Sequence, residues 1–139
     1  MTRRNRRKVY GILLAGILLL NAFLTFQSAE GTVNLSEGLR LWLEQFGFKS
    51  DFHSFRSDAH LVMFFLIGSF LGLFCREIDW PWKLIVVIGF LVGCIDEGIK
   101  VILPTREFEF VDLFKDWVGL GTAFVALVII EQICIQHVD

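Results

Sequence analysis

Four long apolar runs alternate with short polar segments along this chain. The runs cover residues 9–26, 56–75, 82–103 and 112–136, and each is close to the roughly 20 residues that a helix needs to cross a bilayer. The pattern predicts an all-α, polytopic membrane protein with four transmembrane helices in a single domain over residues 1–139.

Composition supports this prediction, because 55% of the 139 residues are hydrophobic, which is high for a soluble domain of this size. The basic cluster RRNRRK precedes the first run and fits a cytoplasmic N-terminus rather than a nucleic-acid-binding tail. A secretory signal begins in the same way, but no good cleavage pattern follows the run. The three cysteines predict neither a disulfide framework nor a zinc site.

The polar segment between the first two runs contains LSEGLRLWLEQFGF. Ser36 is a candidate N-cap, and Leu39, Trp42, Leu43 and Phe46 fall near one helical face. A short helix on the outer membrane surface is one interpretation, with Trp42 at the depth of the head groups. A helix that covers the mouth of the bundle is the other.

Four spans that start inside place both termini in the cytoplasm. Asp96 lies about 21 Å along the third helix from Trp82, still within a hydrocarbon core of about 30 Å. The topology therefore predicts that charged residues far apart in sequence gather at the outer ends of their helices. The candidate site residues are Arg56, His60, Asp96, Glu97, Lys100, Arg106, Asp112 and Asp116.

Several of these residues also have a structural interpretation. Arg56 can extend from the membrane to the interface, Lys100 can act as the counter-ion of the adjacent carboxylates, and Asp112 can cap its helix. Arg106 can bind a phosphate or carboxylate, or pair with the two aspartates that follow it. Adjacent carboxylates at the depth of Asp96 and Glu97 require partners or raised pKa values.

The sequence also bears on a metal site and on close helix packing. Histidine and carboxylates are metal ligands in general, but no fixed ligand spacing occurs here, so no metal is predicted and no cofactor is specified. Gly68 and Gly72 in the second run, and Gly119 and Gly121 in the fourth, are predicted to allow close helix packing.

Two segments of the chain resemble the VanZ-like family of small bacterial membrane proteins. The family form R-K-x-A-H-F-x-E-Y-x-x-L-G corresponds to Arg56, Ala59, His60 and Gly68, with Phe64 in place of tyrosine. The family form D-E-x-x-Q-x-F-x-P-x-R, followed after five residues by D-x-x-x-D/N-x-x-G, aligns without a gap. The positions that match it are Asp96, Glu97, Pro104, Arg106, Asp112, Asp116 and Gly119.

The chain also departs from the family pattern at three positions where the family commonly has a polar residue. Ser57, Met63 and Lys100 stand where the family commonly has lysine, glutamate and glutamine. One acidic and one basic group have thus changed places within the expected cluster. A role that depends on a glutamate at position 63 is in doubt.

The resemblance implies a protein of the bacterial cytoplasmic membrane with a role in the cell envelope. The founding family member is associated with resistance to the glycopeptide teicoplanin. Membrane lipids, a lipid-linked envelope precursor or a glycopeptide are the implied partners; nucleic acid is not among them, and no oligomeric state is predicted.

Three hypotheses remain open from the sequence. In the first, an outward-facing polar pocket binds a lipid head group or envelope precursor, with Arg56 and Arg106 holding its anionic group. In the second, the protein is an intramembrane hydrolase or transferase in which His60 and a carboxylate, Asp96 or Glu97, act as acid and base. In the third, the charges form a structural ion-pair network without a ligand.

Overall fold

The computed structural model describes residues 2–26, 29–48, 51–103 and 108–136, and in these ranges it is all-helical. The helices are α1 (Arg3–Phe26), α2 (Ala29–Glu44), α3 (Phe52–Glu77), α4 (Trp82–Ile102) and α5 (Phe110–Gln136). Each predicted apolar run lies almost entirely within one of α1, α3, α4 and α5, and α2 falls in the polar segment between the first two.

Three stretches of helix are long and apolar enough to cross a membrane: Arg3–Phe26, Asp58–Glu77 and Phe110–Ile133. Three of the four predicted spans therefore coincide with helices that are long and apolar enough to cross a membrane, and the fourth does not. The fourth prediction falls on α4, which has 21 residues but carries Asp96, Glu97 and Lys100 in its last two turns. Those charges interrupt the apolar sequence, although all three side chains are buried.

The ends of α4 follow from its flanking prolines. Pro81 occupies the N-cap in an extended conformation, and its carbonyl oxygen accepts a hydrogen bond from the backbone N–H of Leu84 at 2.9 Å. Leu103 is also extended, with φ −84° and ψ 122°. A residue that precedes proline disfavours helical ψ, so α4 stops before Pro104.

Helix α3 lies at the centre and contacts all four other helices, most extensively α5. One apolar core cluster contains Phe64, Ile67 and Leu120, and a second contains Leu71, Cys75 and Ile85. The outward faces of the helices are also apolar, with Ile12 71% and Leu19 71% exposed. Apolar surface of this extent is typical of a lipid-facing protein.

The interface between α3 and α5 depends on small residues. A Cβ atom at Gly119 would lie 2.5 Å from the carbonyl oxygen of Leu61, and one at Gly68 would lie 2.9 Å from the Cβ of Ala123. The predicted close packing therefore holds for these glycines. It is wrong for Gly121, where an added Cβ would meet nothing within 4 Å, because that position faces away from α3.

Helix α2 packs against α3 and leaves its apolar side chains largely exposed. Leu39 is 49% and Trp42 53% exposed, as expected for a helix that lies on a membrane surface. On its polar side, Arg40 donates hydrogen bonds to Glu37. These hydrogen bonds lower the pKa of the Glu37 carboxyl below its ordinary value.

Candidate functional site

A buried polar cluster forms at one end of the bundle, where α1 and α4 end and α3 and α5 begin. Helix geometry explains the meeting: adjacent antiparallel helices bring the C-terminal part of one beside the N-terminal part of the next. The name acidic cluster is used below for His60, Asp96, Glu97, Lys100, Asp112 and Asp116.

Asp96 is held by two polar side chains of α1. The Nδ2 amide of Asn21 donates a hydrogen bond to Asp96 Oδ1 at 2.7 Å, and the hydroxyl of Thr25 donates to the same oxygen. Asn21 and Thr25 are four residues apart and so share one helical face. A polar pair at this spacing within an apolar run is the signal that sequence reasoning missed.

Glu97 and Asp112 share the ammonium group of Lys100. Lys100 Nζ donates a hydrogen bond to Glu97 Oε1, and it lies 3.5 Å from Asp112 Oδ2. The second oxygen of Glu97 accepts a hydrogen bond from the backbone N–H of Glu109 at 3.4 Å. This is the geometry of a buried counter-ion, located where the family pattern has a neutral glutamine.

His60 lies between the two aspartates of α5. Its Nδ1 atom is 3.0 Å from Asp116 Oδ1, and its Nε2 atom is 3.5 Å from Asp112 Oδ2. The four-residue spacing of Asp112 and Asp116 places both carboxylates on the face of α5 that meets α3. One ring nitrogen can therefore donate to a carboxylate while the other accepts a proton or binds a ligand.

Asp116 and Glu97 are the most deeply buried of these groups, each 0% exposed. The Oδ2 atom of Asp116 has no hydrogen-bond partner among the residues that the structure describes. A buried carboxylate oxygen without a donor costs free energy, about 1–3 kcal/mol or more for a charged group. The indole Nε1 of Trp117 is likewise buried without a hydrogen-bond partner in that part of the chain. The Trp117 ring stacks on Phe90 with 4.3 Å between the ring centroids.

Two predicted site residues fall outside this description. Arg106 lies in the undescribed segment 104–107, and the side chain of Arg56 is not described although its backbone belongs to α3. The other six predicted residues are brought together. Glu109 joins them through its backbone, whereas Lys115 pairs with the exposed Asp58 at 2.9 Å on the surface.

Among the side chains that the structure describes, the acidic cluster has more negative than positive groups. Four carboxylates are buried with one ammonium group and one imidazole. Carboxylates in a poorly solvated site are stabilised by positive charge or by protons. The described part of the cluster can therefore interact with protons, a cation or a cationic group.

The opposite end of the bundle contains a separate set of ion pairs. Arg6 Nε lies 2.8 Å from Glu77 Oε1, and an Arg3 guanidinium nitrogen lies 2.6 Å from Asp79 Oδ1. The start of α1 and the turn after α3 are therefore at the same end, about 22 Å along α1 from Asn21.

Comparison of the chain with protein-family models, curated proteins and solved structures finds no match.

Proposed function

We propose that the chain is a VanZ-like integral membrane protein of the bacterial cell envelope, and that the acidic cluster belongs to a site for the polar part of an envelope amphiphile. A lipid head group, a lipid-linked precursor or a teicoplanin-type glycopeptide is the proposed ligand class. The observation that carries the proposal is the convergence of charged side chains from α3, α4 and α5 inside a bundle whose outer surface is apolar.

In this proposal, α4 is the fourth transmembrane helix. Its 21 residues span about 31 Å, which matches a hydrocarbon core of about 30 Å. Asp96, Glu97 and Lys100 are 5%, 0% and 2% exposed, so they face neighbouring helices and not lipid. Ionisable residues inside membrane helices face the bundle interior and mark functional sites.

The family assignment is supported by where the motif residues lie. His60 comes from the first matching segment, and Asp112 and Asp116 come from the second, yet their side chains are in contact. Met63, which replaces the family glutamate, packs against the apolar core of Phe64, Ile67 and Leu120. The acidic group lost at that position is thus replaced by ordinary core packing.

Orientation follows from the basic N-terminus. The pairs Arg6–Glu77 and Arg3–Asp79 put the basic residues and the α3–α4 turn at one end, which the positive-inside rule assigns to the cytoplasm. The acidic cluster then lies toward the outer leaflet, and both termini are cytoplasmic. Cysteine labelling from outside should reach Asp58→Cys and not Asp79→Cys; the reverse result would contradict this orientation.

Lipid binding is testable through Arg106, the arginine proposed to hold an anionic group. Protein extracted in mild detergent is expected to carry a native envelope lipid in mass spectra, and Arg106→Gln is expected to lower that occupancy at least tenfold. Arg76→Gln is the matched control, since Arg76 pairs with Glu131 away from the cluster. Equal occupancy in the parent protein and in Arg106→Gln would remove the binding proposal.

A second candidate function is hydrolysis or group transfer on the bound amphiphile. The contact between His60 Nδ1 and Asp116 Oδ1 favours it, because a carboxylate that orients an imidazole is the arrangement used for general acid–base catalysis. Envelope lipids incubated with the purified protein would be converted, and His60→Ala would stop conversion while lipid occupancy persists. Binding without conversion of any envelope lipid or glycopeptide would contradict the catalytic function but not the binding function.

A purely structural network fits the described side chains less well. A closed network satisfies its buried polar groups, whereas the buried Asp116 Oδ2 atom has no hydrogen-bond partner among the described residues.

A further inference from the structure

The donor set within the acidic cluster matches that of a transition-metal site. His60, Asp96, Glu97 and Asp116 each offer one ligand atom, and these four atoms lie within 4.8 Å of one another. Zinc binds histidine nitrogen and carboxylate oxygen at about 2.0–2.2 Å in a tetrahedral arrangement, so two of its ligand atoms are about 3.4 Å apart. The most widely separated pair must therefore approach by up to about 1.4 Å, which rotation of the side chains can supply.

An independent observation supports a ligand at this place. Asp116 is fully buried, and its Oδ2 atom has no hydrogen-bond partner in the part of the chain that the structure describes. A buried carboxylate oxygen in that state is stabilised by a proton, a hydrogen-bond donor or a cation, and a cation bound beside His60 supplies this stabilisation. From this geometry we propose that the acidic cluster binds one divalent transition-metal ion, with Zn²⁺ or Mn²⁺ preferred over Mg²⁺ and Ca²⁺ because of the imidazole ligand.

Groups around the four ligands are placed to orient them. Asn21 and Thr25 hold Asp96, and Lys100 holds Glu97. When one nitrogen of His60 binds the metal, the other faces an aspartate that can accept its N–H. Such outer hydrogen bonds fix ligand orientation in metal sites.

This proposal differs from the lipid-binding proposal and does not depend on it. The binding function concerns an amphiphile held through Arg56 and Arg106, whereas the metal proposal rests on four other side chains. A protein that binds metal but no lipid, or lipid but no metal, would separate the two.

The test uses the full-length protein in detergent, freed of its affinity tag and treated with chelator. Elemental analysis after dialysis against Zn²⁺ or Mn²⁺ is expected to give one ion per chain, while Mg²⁺ at equal concentration does not compete. Co²⁺ should give visible absorption bands of a nitrogen–oxygen site. If none of these transition metals is taken up in a stoichiometric amount, the proposal is overturned.

Variants separate this site from metal bound elsewhere. Asp116→Asn and His60→Gln are expected to weaken metal affinity about a hundredfold or more, since even outer-shell changes cost 10–100-fold. Asp58→Asn, which changes an exposed aspartate of α3, is expected to bind as the parent does. Melting curves of each metal-free variant show whether it is folded. Undiminished affinity in folded Asp116→Asn would assign the metal to another place.

Discussion

Replacing Lys100 with methionine is expected to destabilise the metal-free protein by about 3–5 kcal/mol, the usual cost of removing one partner from a buried ion pair. Lys100 is 2% exposed, and its ammonium group contacts Glu97 and Asp112. Without it, two buried carboxylates lose their common cation. The measurement is the free energy of unfolding in detergent with chelator present.

Lys115→Met is the matched control for this substitution. Lys115 also pairs with an aspartate, Asp58, but that carboxylate is 67% exposed. Solvated ion pairs contribute under about 1 kcal/mol, so the control should stay close to the parent. Equal stability of Lys100→Met and Lys115→Met would show that Lys100 is not the counter-ion of the cluster.

Replacing Gly119 with alanine is the second change for which a large effect is expected. The new Cβ would lie 2.5 Å from the Leu61 carbonyl oxygen and 3.0 Å from the Phe65 nitrogen. Both are backbone atoms of α3, so no side chain can move to relieve the contact, and the helices must separate. We expect a loss at the upper end of the 1–3 kcal/mol typical of overpacking, measured as a lower melting temperature in detergent.

Gly121→Ala controls for the conformational effect of alanine itself. It lies two residues further along the same helix, and its Cβ would meet nothing within 4 Å. Alanine favours a helix over glycine by about 1 kcal/mol, so this variant should be as stable as the parent or more stable. A drop in both variants alike would place the effect in the helix and not in the α3–α5 contact.

The helices of this fold were predictable because the apolar runs are long and bounded by clear signals. Pro81 and Pro104 flank α4, and the glycines at 68 and 119 indicated close helix packing but not that α3 and α5 are the helices that meet. Whether α4 crosses the membrane was harder to predict, because its apolar character fails where Asp96, Glu97 and Lys100 enter the sequence. Only the packing shows that those residues face other helices.

The partners within the acidic cluster were less predictable than its members. Spacings of four residues place His60 on one face with Arg56, and Asp112 on one face with Asp116. They do not show which carboxylate contacts which ring nitrogen of His60. Asn21 and Thr25 were missed because the rotation of α1 about its axis depends on how it packs on α3 and α4. Gly121 was wrongly included with Gly119, since the two positions differ by about 200° around the helix.

The basic residues at the start of α1 outnumber Glu77 and Asp79 at the same end, and the acidic cluster lies at the other end, so the bundle has an axial charge asymmetry. In the proposed orientation, the basic end faces the negative interior of an energised cell and the acidic end faces its positive exterior. A full elementary charge moved across the membrane changes its energy by about 2.3 kcal/mol per 100 mV. The resting voltage therefore favours this insertion over the inverted one, and it also acts on any cation that enters the cluster from outside.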